Sequence, residues 1–217
     1  MNDAAAQATS PNPLPRLLVL TDRRACEAKG RTLADTVAAA VDAGVRCVVF
    51  REKDLATRER TQLAGGVATA AQGAMLIVAS NPAIADAIGT EWLHLAATDA
   101  APPSRFRWGR SCHSGEDVGV AARQGAAYAT LSPVFLTASK PGYGPALGTG
   151  PLACVCQSTS LPVYGLGGIG APQAAGVLAT GAAGIAVMGA VMGADDPAAA
   201  ARRLVNAVNA IGAFGTQ

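Results

Sequence analysis

Lysine is rare in this chain: three of its 17 basic residues are lysines (Lys29, Lys53 and Lys140) and the other fourteen are arginines. Two of the three follow short apolar runs. Lys53 belongs to Arg51-Glu52-Lys53-Asp54, and Lys140 to Thr137-Ala138-Ser139-Lys140 within a Gly/Pro-rich stretch. Brought together, Arg51, Lys53 and Lys140 would form a cationic mouth for a strongly anionic group such as a diphosphate. Arginine would grip two oxygens with its planar fork, and lysine would act as a point charge. The hydroxyls of Thr137 and Ser139 would add donors to phosphate oxygens.

A second anion-binding signal is Gly165-Leu166-Gly167-Gly168-Ile169-Gly170, followed by Pro172 at a helix start. Glycines let backbone amides approach an anion, and a helix N-terminus adds partial positive charge. The string also satisfies GxGxxG, but a dinucleotide fold needs an acid at the end of the following strand, where this chain has Val187-Met188-Gly189-Ala190. A monophosphate is therefore the favoured ligand, with purely structural tight turns as the alternative. The chain has two histidines. His94 alternates with Leu93 and Leu95 and reads as a hydrogen-bonded core residue. His113 stands beside Ser111 and Ser114, where an imidazole can serve as acid or base near neutral pH, or simply open a helix.

Eight short apolar runs carry these groups at or just after their ends: 17–20, 45–50, 75–78, 92–95, 106–110, 128–131, 163–166 and 184–188. Between them lie Ala-rich segments of helical period, including 32–43, 57–72, 114–124, 172–180 and 197–211, with polar N-caps or an early proline. The helices after the third and fourth runs look short. Eight strand-helix units at this spacing predict an α/β fold, a single-domain (β/α)8 TIM barrel over 16–214, with 1–15 as a loose tail and an open doubly wound sheet as runner-up. Closure removes the edges that an open eight-stranded sheet would have to protect. In either architecture the chemistry collects at the C-terminal strand ends, and phosphate-binding barrels use the loops after strands seven and eight. The stretch 133–150 is too long for an ordinary connection, and its glycines and prolines oppose regular structure. It reads as a lid that could close over an anion.

The chain has 217 residues, 50% of them hydrophobic and 15% charged, with a net charge of +2. Such a composition excludes disorder, and scattered arginines leave no footprint for nucleic acid. Every apolar run is too short to span a membrane. Five cysteines without a CxxC pair predict a reducing compartment, and residues 1–15 lack the features of a signal peptide, so the expected location is the cytoplasm.

With LVLTD at 18–22, FREKD at 50–54, LHL with Asp99 beyond it, GRSCHS at 109–114, LSPVFLTASKPGYGPALG at 131–148, GLGGI at 165–169 and GIAVMGA at 184–190, the chain resembles the thiamine phosphate synthase and TenI superfamily over nearly its whole length. The resemblance implies a barrel that joins hydroxymethylpyrimidine diphosphate to thiazole phosphate, giving thiamine phosphate and pyrophosphate. It implies that Arg51, Lys53, Ser111 and Lys140 contact the diphosphate, that Thr137 and Ser139 supply loop hydroxyls, and that Asp99 binds Mg²⁺. Gly167, Gly168 and Gly189 match the thiazole-phosphate region. Three positions depart from the synthase pattern: Val49 stands where a Gln meets the pyrimidine, and Ala79-Ser80 stand where the family has Asn-Asp. TenI-type thiazole tautomerases share the barrel, need no Mg²⁺ and use a His at the position of His113. A tautomerase and a non-catalytic paralogue that binds a phosphorylated precursor are therefore the alternatives. The partners implied are small phosphorylated pyrimidine and thiazole compounds, and a homo-oligomer is left open.

Overall fold

Runs such as Leu17–Leu20 (LLVL) and Cys47–Phe50 (CVVF) are buried at every position, as befits parallel strands covered on both faces. The computed structural model describes residues 14–137 and 145–210. Among these, β1 (Leu17–Leu20), β2 (Cys47–Phe50), β3 (Met75–Ala79), β4 (Trp92–Leu95), β5 (Arg107–Cys112), β6 (Tyr128–Leu131), β7 (Val163–Leu166) and β8 (Gly184–Val187) pair in sequence order. All pairs are parallel, and β1 closes on β8, excluding the open sheet. The surrounding helices are α1 (Arg23–Glu27), α2 (Leu33–Asp42), α3 (Thr57–Ala70), α4 (Pro82–Ala87), α5 (Gly115–Arg123), α6 (Thr149–Ser158), α7 (Ala171–Leu178), α8 (Gly189–Met192) and α9 (Pro197–Ala210). No helix among the described residues is long and apolar enough to cross a membrane.

Alternation along each strand divides the core into two. One cluster fills the barrel, with Leu18, Leu20, Cys47, Val49, Ile77, Tyr128, Tyr164 and Ala186. The other lies between barrel and helices and includes Val19, Val48, Phe50, Val78, Leu93 and Ile185. Two tyrosines supply much of the interior volume, their rings meeting edge to face at 5.7 Å. Glycines opposite them make the room. A Cβ on Gly109 would lie 2.1 Å from the Tyr128 ring, and one on Gly184 would lie 2.5 Å from that of Tyr164. Both glycines are the register partners of those tyrosines.

Several expected boundaries move. β5 extends two residues beyond the expected end because Ser111 and Cys112 pair with Thr130 and Leu131, so Ser111 stands on the barrel wall and not in the following loop. The helix expected after the fourth strand is absent among the described residues. Residues 96–106 are a loop containing Pro102-Pro103, which opposes helical continuation. Leu14, assigned to the tail, packs against the barrel interior, and its carbonyl accepts from the Tyr164 hydroxyl at 3.1 Å. Residues 1–13 lie outside the described residues.

Candidate active site

The exits of β1, β2 and β3 are tied together before any ligand is considered. The Thr21 amide donates to the Val49 carbonyl at 3.0 Å, and the Arg51 amide donates to the Thr21 hydroxyl at 2.9 Å. Arg60, buried on α3 and lying over the Phe50 ring, donates to the carbonyls of Arg51 and Ala79. The two acids of the Arg51–Asp54 run are used structurally. Buried Glu52 accepts from the Arg23 amide, while Asp54 pairs with Arg23 and Arg24 at 2.7 and 2.9 Å.

Lys53 reaches the next strand exit, its Nζ donating to the Ser80 hydroxyl at 2.7 Å. Ser80 adopts a left-handed backbone (φ 53°), a conformation rare outside glycine. Its side chain also hydrogen-bonds to Asp99, whose carboxylate accepts from the Ala96 amide at 2.7 Å. Burial pushes the Asp99 pKa up, but the Ser80 hydroxyl, the Ala96 amide, Lys53 and Arg110 together hold it below its ordinary value. Lys53, Ser80 and Asp99 thus form a cation–hydroxyl–carboxylate chain across the exits of β2, β3 and β4.

This donor set meets Mg²⁺ in a particular way. No group of three His, Cys, Asp or Glu among the described residues could cage a metal. The ionised Asp99 offers one carboxylate, so the other oxygens of an octahedral shell would come from a phosphorylated ligand and water, a usual arrangement for Mg²⁺. The residues fit a metal shared with substrate.

Ser111 stands at the barrel mouth, half-buried, on the strand next to this chain. Its Oγ lies 2.9 Å from His94 Nε2, and His94 Nδ1 lies 2.9 Å from the Tyr128 hydroxyl. His94 is a buried core residue, as its apolar surroundings in sequence predict. Burial, with Lys53 and Arg51 nearby and only Asp99 opposing, pushes its pKa down to about 3, so the imidazole is neutral. Thr130, the register partner of Ser111, is buried, and its hydroxyl has no hydrogen-bond partner among the described residues.

His113 is placed by the start of α5. Its amide donates to Asp117 at 2.9 Å, and its Nδ1 lies 2.9 Å from the Ser132 carbonyl. A carbonyl can only accept, so Nδ1 carries the proton there. Ser114 caps the same helix, with Asp117 answering in a capping box.

Across the barrel, Gly167 and Gly168 are both left-handed, with φ 100° and 64°. A Cβ on Gly167 would lie 2.9 Å from Pro133 Cα, and one on Gly168 would lie 2.4 Å from the Leu136 carbonyl oxygen. The glycines therefore let the segment after β6 run alongside the exit of β7. There the Val134 and Phe135 amides donate to the carbonyls of Leu166 and Gly167 at 2.8 and 3.0 Å. The long loop, expected to lack regular structure, has paired arms: the Leu147 and Gly148 amides donate to the carbonyls of Pro133 and Val134, both at 2.9 Å. Thr137 ends the first described arm, whereas Ser139 and Lys140 lie outside the described residues. Gly189 opens α8, a short helix between β8 and α9 of the kind that borders phosphate sites in these barrels.

The polar strand-end residues were readable in sequence, but the Arg60 anchor and the link from Ser111 through His94 to Tyr128 were not. Arg60 lies in a helix whose sequence shows nothing unusual there, and Tyr128 reads as an ordinary strand aromatic.

Residues 17–191 match a protein-family model described as thiamine monophosphate synthase. The chain belongs to this family. A thiamine-phosphate synthase from Roseiflexus castenholzii is 38% identical over 90% of this chain and 91% of its own length. One from Methanoculleus marisnigri is 36% identical over 92% and 98%. Among solved structures, a thiamine phosphate pyrophosphorylase from Pyrococcus furiosus is similar with a TM-score of 0.79 and 28% identity, covering 90% of this chain and 96% of that one. In this thiamine monophosphate synthase family member, the strand ends facing one another are the cationic arc of β2–β5 and the glycine-rich turns of β7 and β8.

Proposed function

We propose that the chain joins hydroxymethylpyrimidine diphosphate to thiazole phosphate, forming thiamine phosphate and releasing pyrophosphate. The observation that carries this reading is the continuous polar arc of Arg51, Lys53, Ser80, Asp99 and Ser111 across four consecutive strand exits, in a chain 38% identical to a thiamine-phosphate synthase. The reaction breaks the bond between the pyrimidine methylene carbon and the diphosphate oxygen, and pyrophosphate leaves with the electron pair. The thiazole nitrogen then donates its lone pair to the methylene cation.

Charge grows on the leaving oxygens, so preorganised cations and donors aimed at them lower the barrier. Arg51, whose backbone amide is anchored on the Thr21 hydroxyl, and Lys53, whose Nζ donates to Ser80, would supply that charge, and Ser111 a hydroxyl. Thr137, Ser139 and Lys140 belong in sequence to the segment after β6, and the family resemblance assigns them further contacts to the diphosphate. The amides of Gly167, Gly168 and Gly189 receive the thiazole phosphate. Asp99 would be the residue to hold Mg²⁺, which would supply further neutralisation of the leaving-group charge. The five cysteines are unpaired and three are buried, in keeping with a cytoplasmic enzyme.

The test is a product assay with both substrates and Mg²⁺, reading thiamine phosphate by fluorescence after oxidation. Wild type should turn over, and Lys140→Ala should lose about a hundredfold or more, as for removal of one preorganised transition-state contact. Absence of product from wild type would overturn the proposal. If thiazole isomerisation were then found to depend on His113, the activity would be that of a tautomerase.

A further inference from the structure

Tyr128 and His94 contribute nothing to the anion-binding arc, yet they are polar side chains placed in line behind Ser111. Their separations, 2.9 Å from Tyr128 Oη to His94 Nδ1 and 2.9 Å from His94 Nε2 to Ser111 Oγ, permit two arrangements of protons. In one, Ser111 donates to Nε2, and Nδ1–H donates to the phenolic oxygen. The Tyr128 proton then needs another acceptor. Tyr128 is fully buried at 0% exposure, its ring is packed against Trp92 and Tyr164, and its hydroxyl has no second hydrogen bond among the described residues. A buried donor would be stranded. In the other arrangement Tyr128 donates to Nδ1 and Nε2–H donates to Ser111, and neither of these two protons lacks an acceptor. Ser111 alone keeps its proton uncommitted, and Ser111 is the member of the three that reaches the mouth.

We propose that Tyr128 and His94 are positioning residues that commit the Ser111 hydroxyl proton to the barrel mouth, where it donates to an anionic oxygen of the ligand. The chain works only with a neutral imidazole, because a doubly protonated ring could not accept from Tyr128. Lys53 and Arg51 oppose protonation of His94, and Asp99 is the one nearby charge that favours it. Gly109 is part of the same device, since a side chain there would displace the Tyr128 ring. That the recipient is a diphosphate rests on the function proposed above, whereas the direction of the relay does not.

Two measurements on the full chain test the two parts separately. Nitrogen-15 NMR of histidine-labelled protein, with His94→Gln to assign the signals, should show His94 protonated at Nε2 and bare at Nδ1. Tyr128→Phe should shift His94 toward a tautomer mixture. Protonation at Nδ1 in the wild type would overturn the relay whatever the enzyme catalyses. In calorimetry with inorganic pyrophosphate and Mg²⁺, Tyr128→Phe should weaken binding about tenfold, the order expected for a misdirected hydrogen bond to a charged group. In a Ser111→Ala background the same change should have no further effect. Losses that multiply independently would overturn the positioning role, since a merely structural tyrosine would act with or without Ser111. If pyrophosphate did not bind the wild type while the tautomer was as expected, the diphosphate reading would fall and the relay would stand.

Discussion

Moving the imidazole of His94 from water to the barrel interior beside Lys53 and Arg51 lowers its pKa from 6.5 to about 3. The unfolded chain therefore takes up a proton near pH 6.5 that the folded chain refuses, and stability falls as pH drops from 6.5 toward 3. At pH 5 the loss amounts to about 2 kcal/mol. Urea denaturation at pH 7 and pH 5 should show this difference in wild type and a much smaller one in His94→Gln. Equal losses in both proteins would mean that His94 is not the group responsible. At this scale, residue types and their place after apolar runs were enough to single out Arg51 and Lys53, and the family resemblance added Asp99 and Ser111. The partnership of residues 94, 111 and 128 was not, because it depends on inward-facing positions of three strands meeting across a register that no local pattern encodes.

Elements set how the loops meet. The turn after β7 has glycine where two conditions coincide: a left-handed backbone, and the segment at 133–136 passing within contact distance. Gly168→Ala should cost about 2–4 kcal/mol, combining the left-handed penalty with the overlap at Leu136 and Phe135. Gly170→Ala should cost under about 1 kcal/mol. There φ is −121° and the nearest atom to an added Cβ is the flexible Gln173 Oε1 at 3.3 Å. Equal chemical denaturation midpoints for the two variants would refute this account. The glycine string was visible in sequence as an anion cradle. Its packing role was hidden because the partner segment lies more than thirty positions earlier. The short α8 was likewise missed, since four residues carry no helical period.

For the whole molecule, closure of the barrel brings the polar exits of β2–β5 opposite the glycine-rich exits of β7 and β8 around one mouth, and the proposed function assigns an anion to each side. Thiazole phosphate at a hundred times its Kd should stabilise the protein by about 2.7 kcal/mol, or roughly 5–10 °C in Tm for a chain of this size. The unphosphorylated thiazole alcohol at the same concentration should give a far smaller shift. Equal shifts would remove the phosphate from the binding determinants.

The sequence by itself determined the succession of eight strands, the charged and hydroxyl residues that end them, and the family. These follow from hydrophobic periodicity and from motifs a few residues long, all of them local. Tertiary structure decided which of those groups are already engaged, Glu52 and Asp54 with the backbone and arginines of α1, Lys53 with Ser80, Ser80 with Asp99. It also decided that a tyrosine 17 positions beyond Ser111 and a histidine 17 before it stand in one line with it. Hydrogen-bond direction and proton affinity depend on burial and on neighbours across the barrel, and those exist only once the sheet has closed.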